Sequence, residues 1–232
     1  MVKDDIDFSS IIRKMNREIR LEPPMRSSFF FDSMAIALPK DDIFRRLGYR
    51  KGVTRLEPQE LEEMDRAIDD ALSFIHLRGV ARRIAVEEKK STKTLLSTGE
   101  TLKSRNLARM LRNSEEIMLM GATAGPAVMD AIRDDSLHGR MTRGVILDAV
   151  ASEMVDHALD WMVAFFNQDL RRERRQLTKR RFSAGYGDFL LENQKWIYDA
   201  LDLGRLGVEL SESFILTPEK SVTALAGIER VE

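Results

Sequence analysis

The chain has 232 residues, of which 43% are hydrophobic and 32% are charged, a composition typical of a folded globular protein. It has no cysteine and only three histidines, which excludes disulfide bonds and a cysteine nucleophile and leaves a transition-metal site unexpected. Its net charge of −1 lacks the overall basic excess that is typical of nucleic-acid-binding proteins.

The first part of the chain predicts three helices. Apolar residues recur at helical spacing over residues 7–20, and Pro23 and Pro24 end that segment. A short helix is predicted from about Asp41 to near Gly48. From Pro58 to Ile75, apolar residues repeat at steps of three and four, which predicts an amphipathic helix facing a core.

Residues 79–135 change to a mixed pattern. Two β-rich runs, GVARRIAVEE and TLLST, predict strands, and SRNLARMLRN predicts a helix. The run EEIMLMGATAG predicts a buried strand that ends in a glycine-rich turn, and PAVMDAIRDD predicts the helix after it. The glycines of GATAGPAV have two interpretations: an anion-binding site at the N-terminus of that helix, or close packing of the strand against the helix. The sequence favours close packing.

The last third predicts a long helix from Thr142 to about Lys179, a second helix over 192–203, and two short strands around the proline in SFILTPEKSV. Helices and strands mix without regular βαβ alternation, which favours an α+β fold with a mainly antiparallel sheet. No linker or repeat divides the chain, so one domain is predicted over residues 1–232. No signal peptide or membrane span is visible, and the localisation expected is cytoplasmic.

The long helix carries the first candidate site residues. Glu153 and His157 lie four residues apart, at the edge of an apolar face that includes Val150, Met154 and Trp161. One interpretation is a Glu–His pair at the margin of the core. The other is a pocket carboxylate that receives a cationic group of a ligand.

A basic run over residues 171–181 follows. It is interpreted as a solvated helix end, whose cations suit the helix dipole. The alternatives are nucleic-acid binding, which the absence of interleaved aromatic residues disfavours, and docking of an acidic protein.

The loop RFSAGYGD combines groups that suit a ligand. Arg181 can hold a carboxylate through two hydrogen bonds, Gly185 and Gly187 permit positive φ and a close backbone approach, and Tyr186 offers an aromatic face. A turn with a partly buried tyrosine is an equal alternative on these residues alone.

The order of motifs in the last third resembles one known family. Arg-x-x-x-Gly-Tyr at 181–186 precedes a helix, Gly-Val-x-Leu-Ser-Glu-Ser at 207–213 and Pro-x-x-Ser-Val-x-x-x-x-Gly at 218–227, and LDAVASEMVDHALDWM lies upstream. This order resembles the activation, or S-adenosylmethionine-binding, domain of cobalamin-dependent methionine synthase. The resemblance implies a single C-shaped α+β domain with a twisted, mainly antiparallel sheet flanked by helices, and leaves residues 1–39 as an N-terminal extension.

The resemblance also implies a function. The chain is expected to bind S-adenosylmethionine and to support reductive remethylation of cob(II)alamin on a separate, cobalamin-bearing methionine synthase that lacks this domain. Electrons would come from a flavodoxin-like or other donor, and no nucleic acid or membrane is expected as a partner. It would be a component of that methyltransferase, with cobalamin only on the partner and no catalytic acid, base or metal of its own. The site residues implied are Glu153, Arg181, Ser183, Ala184, Gly185 and Tyr186. The family's acidic ligand contact from the N-terminal part has no matched position.

Three other functions stay open at this point. The basic run 171–181 could serve a nucleic-acid-binding or protein-interaction module. The same fold could serve an activator of another corrinoid methyltransferase. A self-sufficient methyltransferase is a further alternative, although no glycine-rich nucleotide-binding loop follows a strand.

Overall fold

The computed structural model describes residues 28–50, 52–55 and 57–231. The helix predicted over 7–20 and its break at Pro23 and Pro24 lie outside the described residues. The next two predicted helices are confirmed as α1 (Lys40–Arg46) and α2 (Pro58–Phe74). A capping box begins α2: the side chains of Glu57 and Glu60 each accept a hydrogen bond from the other residue's backbone N–H.

Seven strands form one antiparallel sheet in the order β4-β3-β2-β5-β9-β6, with β1 also paired to β2. These strands are β1 (Phe29–Phe31), β2 (Arg78–Lys90), β3 (Lys93–Leu96), β4 (Thr101–Lys103), β5 (Glu116–Thr123), β6 (Arg175–Leu177) and β9 (Ser221–Arg230). A separate hairpin consists of β7 (Glu209–Leu210) and β8 (Leu216–Thr217). The predicted α+β class with an antiparallel sheet is confirmed.

Four further helices complete the described fold: α3 (Arg105–Met110), α4 (Ala127–Leu137), α5 (Met141–Arg172) and α6 (Asn193–Leu201), and a 3₁₀ turn (Leu203–Leu206) follows α6. Within the described ranges, no helix combines the length and apolar character that a membrane span requires.

Strand β5 lies at the centre of the sheet and is covered on both faces. Because side chains alternate across a strand, Met118 and Met120 face one hydrophobic cluster while Ile117 and Leu119 face another. The continuous apolar run EEIMLMGATAG thus reflects burial on both sides. Helices α2, α4 and α5 cover the first face, and α3, α6 and the 3₁₀ turn cover the second.

The long helix ends earlier than its sequence predicts. It was expected to reach about Lys179, but α5 stops at Arg172, and Arg174 adopts a positive φ of 55°. Residues 175–177 instead pair with β9, which buries Leu177 and brings Arg175 to the carboxylates of Glu115 and Glu116. The free sheet edge therefore overrides local helix propensity, and the basic run is divided among a helix end, a strand and a loop.

Two other expectations change in detail. The two C-terminal strands are not a hairpin with each other, because β8 pairs with β7 while the ten-residue β9 pairs with β5 and β6. Residues 28–39, assigned to an N-terminal extension, belong partly to the core: β1 pairs with β2, the rings of Phe31 and Trp161 meet edge to face at 5.2 Å, and Met34 is buried.

The sequence favours close strand-to-helix packing at GATAGPAV, and Gly121 does pack closely, but against α6 and the turn after it and not against the helix that follows in the chain. A Cβ atom on Gly121 would lie 2.8 Å from Leu203 Cδ2, so the strand and the turn after α6 touch closely. Gly125, with φ of +82°, turns the chain towards α4.

Gly227 offers a test of the packing of β9. An alanine methyl group there would lie 2.0 Å from Ser114 Oγ and 2.9 Å from Ser114 Cβ, so Gly227→Ala should lower the free energy of unfolding by about 1–3 kcal/mol. Gly144→Ala in α5 is the control: its nearest atom would be Asp135 Cβ at 3.4 Å, and alanine should be neutral or stabilising by up to about 1 kcal/mol. Denaturant unfolding of both variants measures this, and equal stability of the two would contradict the packing described.

Candidate functional site

A cavity of about 710 Å³ opens beside α5. Its other walls are the loop over residues 181–191, the start of β9 and the tip of the β7–β8 hairpin, and Asp42 of α1 reaches its edge. Its size is within the range of small-molecule sites, which runs from about 300 to 1,000 Å³.

One face of α5 supplies an acidic wall. Glu153, Asp156, His157 and Asp160 follow one another at helical steps of three, one and three, so all four side chains point towards the cavity. The carboxylates lining the cavity are those of Asp42, Glu153, Asp156, Asp160 and Glu219. Arg181 lies among them. The cavity therefore suits a ligand that carries positive charge together with an anionic group.

Helix α1 provides partners for the acidic wall. Arg46 Nε donates a hydrogen bond of 2.5 Å to Glu153 Oε1, and His157 Nε2 lies 2.9 Å from Asp42 Oδ2. Of the two interpretations of Glu153 and His157, a mutual Glu–His pair is not observed, because each side chain contacts α1 instead. One side-chain oxygen or ring nitrogen from each of Asp42, Glu153 and His157 lies within 4.8 Å of the other two, and the Arg46 guanidinium supplies the positive charge beside Glu153.

Asp156 forms no hydrogen bond with a cationic side chain among the described residues. Its Oδ2 lies 3.9 Å from Arg46 Nη2, beyond hydrogen-bonding distance. Burial raises the pKa of Asp156, and the neighbouring Glu153 carboxylate raises it further. Arg46 and Arg181 only partly offset this effect, so a cation placed near Asp156 would relieve the repulsion.

The loop RFSAGYGD is held at both ends. Phe182 exchanges two backbone hydrogen bonds with Leu225 of β9, at 2.9 and 2.8 Å, which fixes the loop to the sheet. At the other end, the Asp188 carboxylate accepts hydrogen bonds from Ser104 Oγ and from the backbone N–H of Arg105 at the start of α3. The loop between these anchors is therefore presented to the cavity in one geometry.

Most of the predicted site residues meet at this cavity. Glu153, Arg181, Ser183, Ala184 and Tyr186 all line it, although Tyr186 is 69% exposed and stands at the rim. The Arg181 guanidinium contacts the Asp160 carboxylate, so its partner lies two helical turns beyond Glu153.

Gly185 is not among the lining residues. Gly185 turns the loop instead: its φ is +89°, and its backbone N–H donates a 2.8 Å hydrogen bond to the Phe189 carbonyl.

The structure adds residues that the sequence analysis missed. Asp156 and Asp160 follow Glu153 at helical spacing and could have been found by that periodicity. Asp42 is an acidic residue from the N-terminal part of the chain, where no ligand contact could be matched. Gln194 lies beneath the cavity: it is 5% exposed, its Oε1 accepts a 3.0 Å bond from Thr223, and its Nε2 has no partner among the described residues.

Comparison with known proteins gives a structural match only. No protein-family model matches the chain, and no curated protein matches it. Thirteen chains of solved structures match its fold. One is the crystal structure of the MetH reactivation domain bound to AdoHcy, with a TM-score of 0.64 and 13% identity over 87% of this chain and 78% of that chain. The chain thus has the fold of that reactivation domain, as the resemblance implied.

Asp156→Asn tests the uncompensated carboxylate. Ionisation of Asp156 costs more free energy in the folded protein than in the unfolded chain. The free energy of unfolding is therefore highest below the ordinary aspartate pKa and falls as pH rises through the raised pKa of Asp156. The variant should gain roughly 0.2–0.5 kcal/mol in free energy of unfolding at pH 7, a small value because water screens this half-exposed side chain. The gain should vanish below about pH 4.

Urea unfolding across this pH range measures the effect. Asp169→Asn is the control, because Asp169 is exposed on the same helix and lies 3.5 Å from Arg172. A variant at Asp156 that is less stable than the native protein at pH 7 would contradict the described electrostatics.

Proposed function

We propose that this chain binds S-adenosylmethionine in the cavity beside α5 and supports reductive remethylation of cob(II)alamin on a separate methionine synthase. The observation that carries the proposal is the meeting of Arg181 with the carboxylates of Glu153 and Asp156 around one cavity. This cavity belongs to a chain with the fold of a MetH reactivation domain whose solved structure holds AdoHcy.

The charges of the ligand match those of the cavity. S-adenosylmethionine carries a carboxylate, an ammonium group and a sulfonium centre. The planar guanidinium of Arg181 can hold the carboxylate through two hydrogen bonds. The acidic wall, with Glu153 and Asp156 foremost, favours the two positive groups.

The loop offers unpaired backbone donors to the rest of the ligand. The N–H groups of Ser183 and Ala184 donate no hydrogen bond to any described residue, whereas Phe182 and Gly185 on either side are bonded. Backbone N–H groups are normally hydrogen-bonded in folded proteins, so a ligand acceptor in the cavity could pair with these two. Leu216 and Val222 provide an apolar wall nearby, and Tyr186 at the rim offers an aromatic face.

The contribution of this chain to the reaction is positioning. Arg181 and the carboxylates would hold the amino-acid end of the ligand so that the sulfonium methyl group faces the mouth of the cavity. No general acid, base or nucleophile of this chain is needed for that task. Cobalamin would be carried by the partner synthase, and the electron would come from a flavodoxin-like or other donor.

Ligand binding tests the site. Arg181→Ala and Glu153→Gln should each weaken S-adenosylmethionine binding at least about tenfold, because a charge-assisted hydrogen bond contributes about 1.5–3 kcal/mol. Isothermal titration calorimetry with the purified chain measures this.

Two matched variants serve as controls. Arg180 and Glu87 are exposed, form no side-chain hydrogen bond or ion pair with described residues and do not line the cavity. Arg180→Ala and Glu87→Gln should bind as the native chain does. Native affinity in both site variants would refute the site assignment.

Action in trans has its own test. The chain is added to a cobalamin-loaded methionine synthase that lacks this domain and has been inactivated by oxidation, with S-adenosylmethionine and a reductant. Methyl-transfer activity should return only when all components are present, and Arg181→Ala should abolish the return. Equal recovery without the chain would contradict the proposal.

The alternatives predict different results. Binding of S-adenosylmethionine without recovery of the synthase would favour an activator of another corrinoid methyltransferase. Salt-sensitive retention of RNA or DNA, lost on neutralising residues 171–180 and accompanied by no binding of S-adenosylmethionine, would favour a nucleic-acid-binding module.

A further inference from the structure

A second concave surface lies between the tip of the β2–β3 hairpin and α3. It consists of two adjoining hollows of about 580 and 620 Å³ that share Thr92, Arg105 and Arg109. We call it the cationic groove and define it by Lys103, Arg105, Arg109 and Arg112, which line one hollow or the other. Among the described residues, none lines both this groove and the cavity beside α5.

The four defining side chains have no internal counter-charge. Within the described part of the chain, no hydrogen bond or ion pair involves the guanidinium groups of Arg105, Arg109 and Arg112 or the Lys103 ammonium group. By contrast, Arg46 and Arg175 are paired with carboxylates.

The groove also contains a local repulsion. Arg105 and Arg109 lie four residues apart on α3, where like charges destabilise a helix by a few tenths of a kcal/mol, roughly 0.2–0.5. All four defining residues are exposed, so their charges face solvent. Concentrated positive charge in a concave surface raises the local concentration of anions.

The neighbouring charged groups of the groove are already engaged. Asp188 accepts hydrogen bonds from Ser104 and the first backbone N–H groups of α3, which lower its pKa, so it occupies the helix N-terminus itself. Lys89 donates to the carbonyls of Arg112 and Ser114, and Lys90 pairs with Glu88. An anion entering the groove would therefore meet the three guanidinium groups and Lys103.

The geometry points to an oligophosphate group as the ligand of the cationic groove. Guanidinium groups bind phosphate oxygens through paired hydrogen bonds, and Ser91 and Thr92 add hydroxyl donors to the lining. A chain of linked phosphates supplies several negative charges within the size of these hollows. No aromatic residue lines either hollow among the described residues, so the phosphates and not a stacked base are the recognised part.

The test uses calorimetric titration of the full chain with inorganic tripolyphosphate and with ATP. Saturable binding below about 1 mM is expected for both, since a few charge-assisted contacts reach this range. The variant Arg105→Gln/Arg109→Gln should lose at least about tenfold in affinity, because two such contacts are removed. Tighter binding of ATP would identify a nucleotide as the source of the phosphates, and equal binding would identify the phosphate chain alone.

A control variant removes the same charge elsewhere. Arg66→Gln/Arg133→Gln changes two exposed arginines, on α2 and α4, and should bind tripolyphosphate within twofold of the native chain. Arg112→Gln offers a second site variant, and thermal unfolding confirms that each variant is folded. The proposal is overturned if tripolyphosphate shows no saturable binding, if the site and control variants bind equally, or if an oligoglutamate peptide binds at the groove while tripolyphosphate does not.

Discussion

Strand β5 is paired along both edges and covered on both faces, and this constraint organises the rest of the fold. Its eight residues pair in unbroken antiparallel register with β2 on one side and β9 on the other. Because both faces carry apolar side chains, helices have to cover each of them. Helix α5 covers one face, with buried residues along most of its 32 residues. Its middle turns carry Glu153, Asp156, His157 and Asp160 beside this buried side, and these residues form the cavity wall.

The cavity combines one rigid wall with one rigid loop. Four residues of α5 that share a face provide the acidic side, and their positions depend on the packing of that helix against the sheet. The loop opposite is fastened to β9 through Phe182 and to the start of α3 through Asp188. Ligand groups would thus meet side chains and backbone donors whose positions the core already determines, which reduces the entropy lost on binding.

Much of this fold follows from periodicity in the sequence, and the failures have physical causes. Helical spacing predicts α2 and most of α5, and the apolar run at 117–122 predicts β5. Residues 175–177 were expected to be helical because nothing local reveals the open edge of β9. Ordered motifs predicted Glu153 and Arg181 at one site. Asp42 and Gln194 could not be predicted, since only tertiary packing brings α1 and α6 to the cavity.

Two of the charged groups at the cavity, Glu153 and Arg181, already have internal partners: Arg46 pairs with Glu153, and Asp160 pairs with Arg181. An amino-acid group that engages Glu153 and Arg181 has to displace two internal ion pairs, and it replaces them with two of its own. The number of ion pairs is unchanged only if the ligand reaches both residues, so a ligand that engages one of them alone loses an internal pair without replacing it. The carboxylate of Asp156, 3.9 Å from Arg46 Nη2, takes part in neither of these pairs. A ligand with one additional positive charge is attracted by the negative charge of Asp156. An otherwise identical ligand without that charge is not, so the cavity discriminates between the two by charge.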